Sequence, residues 1–291
     1  MLLAMPPLAE YPGEALLARL RARRAALDLQ GGESGGPSPE AFMAWLHPRL
    51  DARLRAALEP YLELEAMRCL LLALRHRLGG ESAPPTLLRQ PWLAAEPAAL
   101  LERPGDSREV AARLERWLAA DYPFAAGLER RYLAQGPGAV EQQLAAGMLV
   151  QALATAHAPV VRMTVSFLID LRNLLAVLRH WRWRLRQAPA LVAGGEIGIA
   201  PLGRAWAGED AAAVRRLAAG LGGGELAVLE PRDAERRLLG ILTVRLRRAG
   251  RDPLDVGVVM DALWRCRVAA RNRALRLAAG DEDGLLAAAL L

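Results

Sequence analysis

Residues 159–186 read PVVRMTVSFLIDLRNLLAVLRHWRWRLR. Phe167, Leu171, Leu174, Leu178, Trp181 and Leu185 recur at three-to-four spacing, which predicts an α-helix with one buried stripe. Proline suits a first helical turn, where its missing N–H is not needed, so the helix is predicted to run from Pro159 to Arg186. Asn173 lies off the stripe, yet its helical neighbours Ile169, Ala176 and Val177 are apolar and Asp170 is the fourth. A helix covered on a second side is expected at the centre of a bundle. A half-buried Asn needs hydrogen-bond partners, and Asp170 is within reach one turn earlier. Two readings follow for this pair: a local polar network that fixes helix register, or a surface that meets another protein.

The rest of the chain shares the helical bias. Apolar residues make up 53% of the 291, too many for disorder, while aromatics are only 5%, so the core must be built from Leu, Ala and Val. With Arg and Glu, Leu and Ala are among the strongest helix formers, and β-branched runs are nearly absent. The expected fold class is all-α. Net charge is +6 and every basic residue is Arg, which suits contact with carboxylates or phosphates but does not choose among anionic partners. Cys69 and Cys266 sit in helical apolar patterns with no metal-ligand spacing, as thiols of a reducing cytosol do. Met1 to Pro6 lacks the charged region and longer apolar core of a secretory signal, and charges interrupt every apolar run before the ~20 residues of a membrane helix. A soluble protein is expected.

Proline and glycine divide the chain into helices. The first follows Pro12 and stops at Gly31-Gly32, and a linker over residues 31–39 leads to a helix kinked at Pro48. Pro60 is predicted to open a third helix that ends at Gly79-Gly80. Residues 80–106 form a long connection with one short helix. Asp106-Ser107-Arg108-Glu109 has the form of a capping box for a helix through Ala120. Further helices are predicted from Tyr122, Pro137 and Pro159, then near Glu209, Pro231 and Pro253, with a loop or short hairpin around Ile197 to Ile199.

Two short patterns recur. Leu74-Arg75-His76 is echoed by Leu178-Arg179-His180, and Arg172-Asn173 by Arg271-Asn272, where the two asparagines are the only ones in the chain. Because Asn is a poor helix former, its placement at matching points of two long helices suggests related units. Three are expected, at 1–79, 80–188 and 189–291. In the last helix Arg265, Arg267, Arg271, Arg273 and Arg276 surround an apolar side of Val258, Val259, Ala262, Leu263, Cys266 and Ala270. That basic face is either solvated or meets an anionic partner.

Catalytic patterns are missing. His47, His76, His157 and His180 stand alone, without HExxH spacing or cysteine companions, so no metal site is expected. A phosphate-binding GxxxxGK[ST] loop is impossible without Lys. Gly222-Gly223-Gly224 follows a helix and reads as its stop, Asp281-Glu282-Asp283 lies in a terminal tail, and Glu63 and Glu65 point to different helix faces. The expectation is a non-enzyme with no catalytic residue, cofactor or metal.

The run Phe167 to Arg179 resembles the mid-chain signature of the C-type central-stalk family of V/A-type rotary ATPases (the d-type in eukaryotes): Asp, then Asn three residues on, then Arg. The family continues with a loop carrying Gly and Ile and a second long helix with an Arg-Asn pair. Gly194 to Ile199 and the helix from Val256 through Arg276 resemble those parts in order. Tyr61 to Arg75 resembles a weaker first copy, with Glu65 and Arg75 as its polar marks. Ala269 departs from the family, which commonly has an acid there, and Met5-Pro6-Pro7-Leu8 looks like a divergent bacterial branch. The resemblance implies three pseudo-symmetric helical domains forming a funnel. It further implies a non-catalytic central-stalk adaptor in ATP-driven ion transport or ATP synthesis. The implied partners are the shaft subunits (D/F type) and the membrane proteolipid ring. No small-molecule substrate is implied. Location would be cytoplasmic, peripheral on the inner membrane through the complex. Asp170, Asn173 and Arg179 in the middle unit, and Arg265, Arg271, Asn272 and Arg276 in the last, are the candidate interaction residues. The alternative is a helical nucleic-acid-binding or scaffold protein: the charge fits, but the few aromatics offer little stacking surface.

Overall fold

A computed structural model describes residues 2–4, 12–29, 39–78, 88, 90–103, 105–222 and 230–279, and the side chains of 23–29, 39, 40, 270 and 273–279 are not among those described. The fold is all-α. In chain order the helices are α1 (Gly13–Leu29), α2 (Pro39–Leu46), α3 (Ala52–Leu78), α4 (Glu96–Glu102), α5 (Ser107–Leu118) and α6 (Leu128–Gln135), followed by α7 (Pro137–Thr155), α8 (Pro159–Arg182), α9 (Ile199–Ala207), α10 (Ala211–Ala219), α11 (Pro231–Ala249) and α12 (Gly257–Ala279). The described residues form no β-strand; Leu3 and Leu93 make one isolated antiparallel bridge. No helix among them is long and apolar enough to cross a membrane. The expected linker over 31–39 and the acidic cluster at Asp281 lie largely or wholly outside the described residues.

The chain divides into two compact units, residues 1–10 with 43–156, and residues 11–42 with 157–291. By this division α8 belongs with the helices that follow it, not with α5 to α7 that precede it.

In the first unit α3 packs along α7, while α5, α6 and the 3-10 turn Pro123–Ala125 close one side. Leu58, Leu62, Met67, Leu70 and Leu74 of α3 and Val140, Leu144 and Met148 of α7 are buried, each worth roughly 1.5–3 kcal/mol by removal from water. Gly147 is required here: a Cβ on it would lie 2.2 Å from the Phe124 ring. Tyr122 is buried and donates its hydroxyl to Glu63 Oε1 at 2.7 Å, so Glu63 serves the core.

Two sequence expectations fail in this unit or at its edge. Pro60 does not open α3 but lies inside it. The helix starts at Ala52, capped by Asp51, whose Oδ1 accepts the Leu54 N–H at 2.7 Å. The donor that Pro60 lacks would have bonded the carbonyl of Ala56, an exposed residue whose carbonyl does not depend on that donor. Tyr122 likewise leads only into the 3-10 turn, and α6 starts at Leu128. The Asp106 cap is as expected, with its side chain accepting the Glu109 N–H.

In the second unit α8 packs on α11 and α12, α11 on α12, and α1 on α12, with α9 beside α8 and α10 against α9. Phe167, Leu171, Leu174 and Leu178 are buried as the stripe requires, and Val161, Val165, Ile169 and Val177 bury the second side. The helix stops at Arg182 instead of Arg186. The Leu185 N–H reaches back to the His180 carbonyl at 2.9 Å and the Arg184 N–H to that of Trp181 at 3.1 Å, with Arg184 left-handed at φ 51°. This terminator ordinarily shows a Gly, and its absence hides the stop from a sequence reader. Leu185, expected on the stripe, is therefore exposed. Ile199, expected in a loop or hairpin, is the first residue of α9.

Candidate functional site

The strongest polar construction in the second unit joins α8 to the irregular segment that follows it. Ser166, Asp170 and Asn173 succeed one another at four- and three-residue spacing, so they lie on one face of α8. Asn173 Nδ2 donates to the Val192 carbonyl at 2.7 Å, and the Val192 N–H donates back to Asn173 Oδ1 at 2.8 Å. Asp170 Oδ2 accepts the Glu196 N–H at 2.7 Å and Oδ1 the Ile197 N–H at 3.0 Å. Ser166 Oγ donates to the Gly194 carbonyl at 3.0 Å. Val192 and Ile197 bury their side chains on either side of these contacts. One helical face thus supplies, to a segment with no regular structure, the hydrogen bonds that a sheet or helix would otherwise supply.

Asp170 and Asn173 are both buried, at 0% and 1% exposure, so neither lines an open surface. The expected Asp170–Asn173 pairing is also replaced: each side chain holds a separate point of the loop. Burial raises the Asp170 carboxyl from 3.8 to about 6; the two backbone N–H donors and Arg245 pull the other way, while Glu196 adds to the rise. The enclosed carboxylate holds the backbone of Glu196 and Ile197.

A further layer of charge sits outside the clamp. Arg245 of α11 forms an ion pair with Glu196 through both terminal guanidinium nitrogens, donates to the Leu221 carbonyl at 2.8 Å, and lies over the Phe167 ring at 5.2 Å. Sequence reasoning missed Arg245 because α11 carries many arginines of like spacing. It also gave no role to Gly195 or Ser166, although paired Gly194-Gly195 before Ile197 is a legible sign of close backbone approach.

The remaining candidates scatter. Arg179 is exposed on α8. One turn and more before it, Arg172 has its Nε enclosed without a hydrogen-bond partner, and burial followed by the Arg179 charge lowers its pKa. Arg265, expected on an open basic face, turns inward: its Nε lies 3.0 and 3.1 Å from the two oxygens of buried Asp261. The buried acid of α12 is thus Asp261, well before the alanine at position 269. Arg271 stands 3.7 Å from Glu235 and Asn272 is half-buried. Arg276 is on α12, but its side chain is outside the described residues. In the other unit Glu65 pairs with Arg68 and Arg75 with Glu141. Cys69 and Cys266 are buried and form no disulfide. Among the described residues no group of three or more His, Cys, Asp or Glu side chains comes together in a metal-binding arrangement. The sequence matches no model of a known protein family and none of the curated proteins with which it was compared.

Proposed function

We propose that this chain is a non-catalytic central-stalk adaptor of a V/A-type rotary ATPase, linking the rotating shaft to the membrane proteolipid ring. One observation carries the reading. The Asp170 and Asn173 of the α8 signature grip residues 192–197, the neighbourhood of the Gly-and-Ile loop that the same family resemblance places downstream. Two parts of the resemblance, found separately in the sequence, explain each other physically: the polar pair exists to hold the loop. The all-helical fold agrees, and so does the use of buried Asp170 and Asp261 and half-buried Glu63 as structural partners of backbone, Arg and Tyr groups.

The three-unit funnel, the shaft and ring contacts, and residence at the membrane through the complex belong to this proposal. The test is affinity capture of the tagged chain from solubilised membranes of its own host. Shaft and proteolipid subunits should be recovered in near-stoichiometric amounts. Recovery of neither, from membranes in which the rotary ATPase is demonstrably intact, would refute the assignment.

A further inference from the structure

Among the described residues two that are not glycine take a left-handed backbone, Arg184 at φ 51° and Glu209 at φ 50°. They end their helices in the same way. Beside the α8 terminator described above, the Asp210 N–H bonds the Ala205 carbonyl at 2.9 Å and the Glu209 N–H that of Trp206 at 3.1 Å, closing α9. Glycine is the ordinary residue at both positions, since a β-carbon disfavours this conformation. Such outliers gather at ligand clamps and functional sites. Here both border one cleft of about 720 Å³, whose lining includes Trp181, Arg184, Leu185, Arg186, Trp206 and Glu209.

The charges in this cleft are uncommitted. Arg182, just before it, pairs with Glu230. The side chains of Arg184, Arg186 and Glu209 are exposed and make no hydrogen bond or ion pair with any described residue. Neighbouring guanidiniums suit the oxygens of a phosphate, and a carboxylate beside two indoles suits an ammonium group. A ligand that carries both charges satisfies all of them. The cleft falls within the roughly 300–1,000 Å³ of small-molecule sites. Trp183 beside it stands 62% exposed and Leu185 in its lining 44%, an indole and an isobutyl group of the kind that settles at a lipid–water boundary.

We propose that the cleft between the ends of α8 and α9 binds a zwitterionic phospholipid headgroup, a phosphodiester bearing an ammonium, at a bilayer surface. Arg184 and Arg186 take the phosphate, Glu209 with Trp181 and Trp206 takes the ammonium, and Trp183 and Leu185 enter the interfacial layer. Nucleic acid fits less well, because Glu209 would oppose its phosphates and offers nothing to them. The proposal goes beyond the adaptor reading and does not rest on it.

The test uses the full chain and cosedimentation with vesicles of phosphatidylethanolamine and phosphatidylcholine, against vesicles of phosphatidylglycerol. Arg184→Gly and Glu209→Gly are the informative variants, because glycine relieves the backbone and the fold should be at least as stable. Each should weaken binding to the zwitterionic vesicles about tenfold or more. Glu209→Gly should leave or improve binding to phosphatidylglycerol. Trp183→Ser should weaken vesicle binding but not binding of soluble glycerophosphoethanolamine measured by calorimetry. Unchanged zwitterionic binding in both glycine variants would overturn the proposal, and so would no binding by the wild-type chain. An unaltered vesicle affinity in Trp183→Ser would reject the bilayer as the source of the headgroup. Release of bound vesicles by an equimolar single-stranded oligonucleotide would assign the patch to nucleic acid instead. No ATPase component takes part, so failure here leaves the adaptor reading standing.

Discussion

The carboxylate of Asp170 fills the space that a β-carbon on Gly195 would need: that atom would stand 1.9 Å from Oδ1 and 2.6 Å from Cγ. Helix α8 and the loop therefore meet backbone against side chain, with no room for even a methyl group.

Gly195→Ala should consequently destabilise the chain by about 1–3 kcal/mol through overpacking. Asp170→Ala costs its own two backbone hydrogen bonds but removes the obstacle. In urea unfolding of both single variants and the double variant, the two effects should couple by about 1 kcal/mol or more, the double variant being less damaged than the sum. Additive effects would mean that the loop does not sit against Asp170.

Asn173→Leu should cost roughly 2–4 kcal/mol, because it strands the buried N–H and carbonyl of Val192 together. Asn272→Leu, at a half-buried position, should cost less than about 1 kcal/mol. Equal melting shifts for the two variants would contradict this asymmetry between the two asparagines.

The asymmetry also marks how far the sequence could be read. Helical period and proline placement gave the fold class and most helix starts, because those signals are local. Asn173 stood out as a residue needing partners, and it has them. The partner is not the expected Asp170 but Val192, which lies nineteen residues on in a segment without period and gives no local signal. Arg265 looked like part of a solvated basic face, but Asp261, one turn earlier on the same helix, draws its guanidinium inward. Arg184 concealed the end of α8 by occupying a conformation usually left to glycine.

The Asp170 carboxyl gives stability an unusual pH dependence. Its value is raised from 3.8 to about 6, chiefly by burial, so the native state holds this proton more tightly than the unfolded chain. Between about pH 4 and 6 the native state binds more protons, and this contribution to stability falls as pH rises. Below that window both states are protonated and the effect is constant; above it the full cost of a buried carboxylate is present. Asp170→Asn does not titrate, so other groups cancel in a comparison. The stability of the wild type relative to that variant should decline by on the order of 2 kcal/mol between pH 4 and 7 in chemical denaturation. A relative stability that rises with pH would reverse the assigned sign.

On the adaptor reading the interface is broad and made of many modest contacts, and Arg271 and Arg276 of α12 are its proposed members. Arg271 lies 3.7 Å from Glu235 with its side chain 30% exposed, and its Nη1 is enclosed without a hydrogen-bond partner. A part-exposed ion pair of this length contributes on the order of 1 kcal/mol. Reversing Arg271 and Arg276 to Glu together should therefore leave helical content intact by circular dichroism and lower the melting temperature by only a few degrees. On the adaptor reading the same change weakens attachment to shaft or ring, because planar guanidiniums that reach a partner's carboxylates become repelling carboxylates. In vesicles reconstituted with the complete rotary ATPase, ATP hydrolysis should continue while ion pumping per ATP declines. Full pumping with normal hydrolysis would remove this face of α12 from the interface.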